Sequence, residues 1–161
     1  KWYHAAPSFL NLSIDPAVCN KSSIFRSLQE NACIVSDINL KKIEAFSGIK
    51  TNEIVFASGA SKGKLWCQIL ADVTGCKIKI PKVTESTALG VAMSAGVGAG
   101  IYKDLKSAAN SLVIWEKEYL PNMQNHKKYK NIKQNWQKAY DIQLKLVDEN
   151  ITTSMWKAPG I

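Results

Sequence analysis

Residues 53–81 read EIVFASGASKGKLWCQILADVTGCKIKIP, and three patterns follow one another within them. Residues 53–58 (EIVFAS) are rich in β-branched and aromatic side chains and apolar on both faces, the pattern of a parallel strand flanked on both sides. Gly59 through Gly63 form a small glycine-containing turn. Leu65, Trp66, Ile69, Leu70 and Val73 then recur at helical spacing, with Gly75 placed to end the helix. Residues 76–80 (CKIKI) alternate, which predicts a strand with one buried face that Pro81 ends. Strand, turn, helix, strand is a βαβ unit with a right-handed crossover. The fold class expected is therefore α/β, helix-rich, with a small parallel strand pair.

Working outward, residues 83–104 (VTESTALGVAMSAGVGAGIYKD) predict a helix over 86–101 unusually rich in Gly, Ala and Ser. Glycine inside a helix costs about 1 kcal/mol against alanine. A sequence accepts that cost where backbone approaches a neighbouring helix or a ligand, and close helix packing is the reading favoured here. Beyond lie a short helix near 104–110, an extended patch SLVIWEKEYLP (111–121) and a helix from about 125 to 146, with Tyr129, Ile132, Trp136, Ala139, Tyr140 and Leu144 on its buried side. The tail ITTSMWKAPGI is expected to fold back and bury Trp156 and Ile161. Toward the N-terminus, residues 1–20 read as loop, with a turn at Asp15-Pro16. Ser22 or Ser23 is placed to cap a helix carrying Phe25, Leu28, Ala32 and Val35. The spacing slips after Val35, which predicts two successive helices or a break at Ser36 or Asp37, with Gly48 as the final cap.

Composition narrows the function classes. The 161 residues are 46% hydrophobic, enough for one domain with a core. No apolar run approaches the ~18 residues of a membrane span, so no membrane partner is expected. The chain opens on Lys1 without Met and without the apolar core of a signal peptide, and it is expected to be a piece of a longer, cytoplasmic protein. Cys19, Cys33, Cys67 and Cys76 show no paired metal-ligand spacing, and Cys33 and Cys67 sit in apolar helical patterns as core residues. The net charge of +8 lies largely in stretches such as HKKYKNIKQNW (126–136), where lysines recur on the polar side of an amphipathic helix. A solvated helix face is the favoured reading, with anionic phosphate ligands or nucleic acid as alternatives. Single-strand nucleic-acid binders need exposed aromatics between the basic residues, and Trp136 and Tyr140 fall on the apolar side, so no nucleic-acid partner is expected.

A strand, a glycine turn and a helix occur in every α/β protein; the order of the pieces is more specific. Glu30-Asn31-Ala32 lies within FRSLQENACIV; the strand, SGASKG and LWCQILADVTG follow; then come KIKIP and TESTALGVA. This arrangement resembles the C-terminal domain of the FGGY carbohydrate kinases. The resemblance covers the whole chain, and residues 54–101 carry its family-wide part. It implies part of an actin-like, ribonuclease-H-like ATPase domain, with residues 1–161 forming the C-terminal part of the second, adenosine-facing domain and the catalytic N-terminal domain lying outside the chain. It implies ATP and Mg2+ as cofactors of the complete enzyme. The flanking stretches KWYHAAPSF, CNK and TTSMWKAPGI resemble one branch of the family, whose substrate is a small, linear, sugar-like dione; another pentulose or hexulose kinase is the alternative within the family, and a non-catalytic binding module the alternative outside it.

Carried over position by position, the resemblance makes Gly59 the glycine that lets adenosine approach the backbone, with Ala60 and Ser61 continuing the turn. A positive φ at Gly59 would add strain to any side chain there. Ser58 stands where relatives often carry another glycine, and Gly63 where many carry a Ser or Asn that reaches adenine, so only backbone is available at 63. Lys62 reads as a solvated helix-start lysine, with a phosphate contact as the alternative. Glu85 and Ser86 match the family's E-[ST] pair and read as helix caps. None of Asp15, Asp37, Asp72, Asp104, Asp141 and Asp148 occupies the motif of the family's catalytic base. With few strands in view, the open edge of the EIVFAS strand predicts self-association or pairing with the rest of the enzyme.

Overall fold

The computed structural model describes residues 3–157. In chain order the elements are β1 (Tyr3–His4), α1 (Lys21–Ser47), β2 (Glu53–Val55), α2 (Lys64–Thr74), β3 (Lys77–Pro81), α3 (Ser86–Gly98), α4 (Leu105–Leu112), β4 (Trp115–Tyr119), α5 (Met123–Asp148) and β5 (Trp156–Lys157), with a short 3-10 turn, Gly59–Lys62, before α2. The chain divides into two compact units, residues 28–126 and residues 1–27 with 127–161.

The larger unit is built on a three-stranded sheet in the order β2-β3-β4. β2 and β3 run parallel, with Ile54 opposite Ile78, as the βαβ reading requires. Two expectations are corrected. First, β4 lies within the 111–121 patch and pairs antiparallel with β3, Lys79 opposite Glu118, so the sheet is mixed rather than a parallel pair alone. Second, β3, not β2, is the central strand; β2 is a short edge strand with Val55 exposed, and Pro81 belongs to β3. The polar face of the sheet is tied by charge: Lys77 meets Glu53 at 2.8 Å and Glu118 at 3.6 Å, and Lys79 lies 3.9 Å from the Trp115 ring centre.

The core lies on the other face. Ile78 and Ile80 are buried, and α2, which packs on β3, buries Cys67 and residues 69–74. Leu65, expected inside, is exposed because it falls on the outer side of the first turn. Gly75 ends α2 at φ +71, its amide bonded to the Ala71 carbonyl, as its position predicts. Asp72 is buried within this core, and its carboxylate ties α2 to the start of α5. It accepts from the Asn122 amide and the Gln68 side chain at 2.8 Å each, and from the Asn125 side chain at 2.9 Å.

α1 is one unbroken helix, not two. Ser36 keeps its place by donating to the Ala32 carbonyl at 2.8 Å, and Asp37 is buried in line with Cys33 and Ile34, so a polar residue occupies the apolar stripe and imitates a break. Its N-cap is Asn20, whose side chain accepts from the Ser22 and Ser23 amides, while Ser23 reciprocates to the Asn20 amide. Gly48, at φ +72, ends the helix as expected.

α3 stops at Gly98, three residues early, because Gly100 turns left-handed at φ +74 and the Ile101 amide folds back to the Gly96 carbonyl. Its small residues are mostly exposed; only Gly96 is buried, its α-carbon under the Tyr102 ring. α3 does pack against α4, but its one buried glycine lies against Tyr102 in the segment between the two helices. Glu85 sits at the N-cap but makes no side-chain cap bond.

In the smaller unit, residues 3–4, expected as loop, form β1 and pair antiparallel with β5. The Asp15-Pro16 turn is present, with the Cys19 amide on the Asp15 carbonyl at 2.8 Å. Tyr129 is buried, the Trp136 and Tyr140 rings stack at 5.1 Å, and Ile132 is exposed against expectation. Trp156 is half-exposed rather than buried, because its side chain only leans on His4 across the β1–β5 ladder; Ile161 lies outside the described residues.

Candidate functional site

The strand-to-helix turn at residues 58–63 is where the predicted nucleotide residues meet. Its shape starts at Ser58, which adopts φ 69 and ψ −168. That region is almost exclusively glycine's, and holding another residue there costs on the order of 1–3 kcal/mol. Gly59 itself is not at positive φ; the left-handed residue of the turn is Ser58, one position earlier. A network holds it. The Ser58 amide donates to the Thr84 carbonyl at 3.0 Å, and the Ser58 carbonyl accepts the Ser61 hydroxyl at 2.7 Å and the Ser61 amide at 3.2 Å. The Gly63 amide returns to the Ala60 carbonyl at 3.1 Å, and the buried Cys67 thiol donates to the Ser61 carbonyl at 3.2 Å.

The five predicted residues therefore divide by role. Ser58 and Gly59 are exposed, and a Cβ built on Gly59 meets nothing within 4 Å, so the turn faces open space there. Ala60 is half-buried and Gly63 starts α2, where its missing side chain leaves the helix without a side-chain cap. Ser61 is buried, and its hydroxyl serves the turn. The first amides of a helix point outward along its axis and favour an anion or an acceptor. Lys62 and Lys64 are exposed beside them, in line with the solvated reading. What sequence reasoning missed is Cys67, which reaches back into the turn from α2; its position one helical turn past Gly63 is the only signal in the sequence.

The aspartates have structural work. Asp15 holds the loop turn, Asp72 anchors α5, Asp104 caps α4 reciprocally with Ser107, and Asp141 accepts from Gln137. Asp148 accepts the Tyr3 hydroxyl. All four cysteines are unpaired, and burial pushes the Cys33 thiol up to about 12 and the Cys67 thiol above its ordinary value, so both stay protonated. Among the described residues no group of His, Cys, Asp and Glu is arranged to hold a metal ion, and no helix is long and apolar enough to cross a membrane.

Two apolar grooves flank β2. One, of about 420 Å3, lies between α1 and α2 and is lined by Leu40, Ile43, Ile54, Phe56 and Trp66; the other, of about 460 Å3, lies between the sheet and α3, with Val55, Val83 and Met93. Ile43, Val55 and Val83 on their walls are exposed.

Residues 2–99 match the model of the C-terminal domain of the FGGY family of carbohydrate kinases. The chain belongs to this family. Among curated relatives, the autoinducer-2 kinase of Yersinia enterocolitica is 57% identical over 160 residues, and that of Yersinia pestis 58%; each alignment covers 99% of this chain and 30% of the relative. The chain thus spans about 30% of the length of the curated relatives it matches. Among solved structures, glycerol kinase of Plasmodium falciparum with ADP superposes at TM-score 0.72 with 26% identity, over 87% of this chain and 27% of that one. Xylulose kinase of Rhodospirillum rubrum superposes at 0.73 with 16% identity, over 86% of this chain and 28% of its own. The fold is that of these actin-like FGGY kinases.

Proposed function

We propose that this chain is the C-terminal, adenosine-facing part of an ATP-dependent autoinducer-2 kinase, which phosphorylates the linear dihydroxypentanedione signal in the cytoplasm. The observation that carries the reading is 57–58% identity to autoinducer-2 kinases along 99% of the chain, which includes the whole 58–63 turn. The geometry supports it. Gly59 faces open space at the C-terminal end of a parallel strand, and Gly63 opens a helix. That is where an α/β sheet takes a nucleotide.

On this reading residues 58–60 and 63 bind adenosine by backbone, without a side chain to read the base at 63. ATP supplies the phosphoryl group. Phosphoryl transfer rests on positioning and charge stabilisation. This chain contributes the first and leaves the base and the phosphate clamps to the remainder of the enzyme. Among the described residues no group of three or more His, Cys, Asp and Glu is arranged around a metal position, and no step is assigned to Mg2+ here. The open edge of β2 and the two apolar grooves beside it support a remainder that continues the sheet and covers them.

The test is a competition assay of the full-length kinase with ATP on dihydroxypentanedione, xylulose, glycerol and gluconate. The dione is expected to show the highest kcat/KM. A ketose preferred tenfold or more would move the enzyme to another branch of the family.

A further inference from the structure

Two buried side chains link the first turn of α2 to the residue in the strained conformation. Cys67 is fully buried and donates to the Ser61 carbonyl at 3.2 Å. Ser61 is buried in turn and donates its hydroxyl to the Ser58 carbonyl at 2.7 Å. Ser58 holds φ 69 and ψ −168, and on the other side its amide donates to the Thr84 carbonyl, beyond β3. Ser58 is therefore held at both of its peptide bonds, through its amide by Thr84 and through its carbonyl by Ser61. Its orientation decides which way Gly59 and the Ala60 amide face.

We propose that Ser61 and Cys67 are positioning residues for the nucleotide: a Cys67–Ser61–Ser58 relay of side-chain hydrogen bonds holds the turn in the one conformation that presents Gly59 to adenosine. This rests on the reading of residues 58–63 as the nucleotide site. Neither side chain reaches the nucleotide. The Ser61 hydroxyl is engaged with the turn's own backbone, and the Cys67 sulfur has no exposed surface. Burial keeps the Cys67 thiol protonated and so a donor throughout the neutral range. The relay explains why a serine is tolerated at 58: with the carbonyl tied down, the conformation no longer depends on the freedom of glycine.

The proposal separates from a merely structural role by which constant moves and by what restores it. In the full-length kinase, Ser61→Ala is expected to raise the KM for ATP about five- to tenfold, the equivalent of one or two neutral hydrogen bonds, with kcat and the KM for the dione within about twofold. Cys67→Ala is expected to raise it about two- to fourfold, because a thiol is the weaker donor. Ser58→Gly added to Ser61→Ala is expected to return the KM for ATP to within about twofold of the parent, since glycine adopts the conformation without the relay. Gly59→Val is the control on the site itself and raises the KM for ATP most. If Gly59→Val raises it and Ser61→Ala does not, the relay is overturned while the site stands. If Gly59→Val leaves it unchanged, the site reading fails first. Equal rises in both KM values for Ser61→Ala, or no rescue by Ser58→Gly, also overturn the relay. Should Ser61→Ala fail to fold, amide exchange at Ser61 and Gly63 in Cys67→Ala decides: unchanged protection overturns the relay, and faster exchange supports it.

Discussion

α2 and α3 each follow a strand of the same βαβ framework, and each carries small residues at its end, yet they are opposite in character. α2 is buried over most of its length, and Gly75, at its end, is fixed by a left-handed turn and by the His126 ring pressed on it. α3 is glycine-rich and mostly exposed; Gly90 and Gly98 meet nothing within 4 Å, and only Gly96 touches a side chain. The same residue type is thus a geometric necessity in one helix and an open surface in the other. Composition alone does not tell the two apart. What separates them is whether another element closes over the backbone, and over α2 the start of α5 does so, through Asp72, Asn125 and His126.

The strongest test of that difference is at Gly75. A Cβ there lies 2.8 Å from His126 Cε1, on a ring whose Nδ1–H donates to the Asp72 carbonyl at 2.9 Å. Gly75→Ala is expected to lose about 2–4 kcal/mol of unfolding free energy, combining left-handed strain with overpacking. Denaturant melts would measure it. Gly75→Asn sharpens the reading. Asparagine tolerates the left-handed region but keeps the clash, so a loss as large as alanine's assigns the cost to His126, and recovery assigns it to φ.

The βαβ unit was legible because several local signals agree there: an apolar run, a glycine turn, helical spacing, a glycine stop and an alternating strand. The family match from 2 to 99 agrees with the motif reading. Where one signal stood alone, the reading failed. WEKEY carries no apolar alternation, so the sequence marks it only as part of an extended patch; in the sheet Glu118 lies opposite Lys79 and 3.6 Å from Lys77, a pairing visible only once both strands are aligned. Asp37, buried in the α1 stripe, reads as a break because an apolar period assumes that buried positions are apolar. At residues 58–63 the glycine turn between strand and helix is legible from its neighbours, but the strain at Ser58 is not. A serine at positive φ carries no mark in sequence; it exists because Ser61 and Thr84 hold both sides of it.

A second difference between the two helices concerns pH. The thiols of Cys33, Cys67 and Cys76 are buried around α2, and none lies in α3. Burial raises the Cys33 thiol from 9.0 to about 12. A raised value in the folded state means that the folded chain keeps a proton the unfolded chain has released. The stabilisation is therefore complete below pH 9.0 and is lost as the pH climbs toward 12. By pH ~10.5 the loss is expected to reach about 1–2 kcal/mol. Thermal melts across this range should show a shallower alkaline decline in Cys33→Ala than in the parent, whatever the two midpoints are at neutral pH. Parallel declines would mean that water reaches the thiol.

The smallest expected effect has the opposite sign. At Gly90 an added Cβ meets only open space within the chain, and φ lies outside the left-handed region, so nothing local requires glycine. Gly90→Ala should stabilise this chain by about 0.5–1 kcal/mol, through helix propensity alone. Gly96→Ala in the same helix is the internal contrast. Its Cβ would lie 2.8 Å from Tyr102 Cδ2, and the ring must swing aside, so the propensity gain is offset and the net change is expected to be zero or a loss. Denaturant midpoints of the two variants, measured side by side, test whether α3 is open in the isolated chain. If Gly90→Ala proves destabilising, something covers that face of α3 in solution, and the contrast with α2 drawn above disappears.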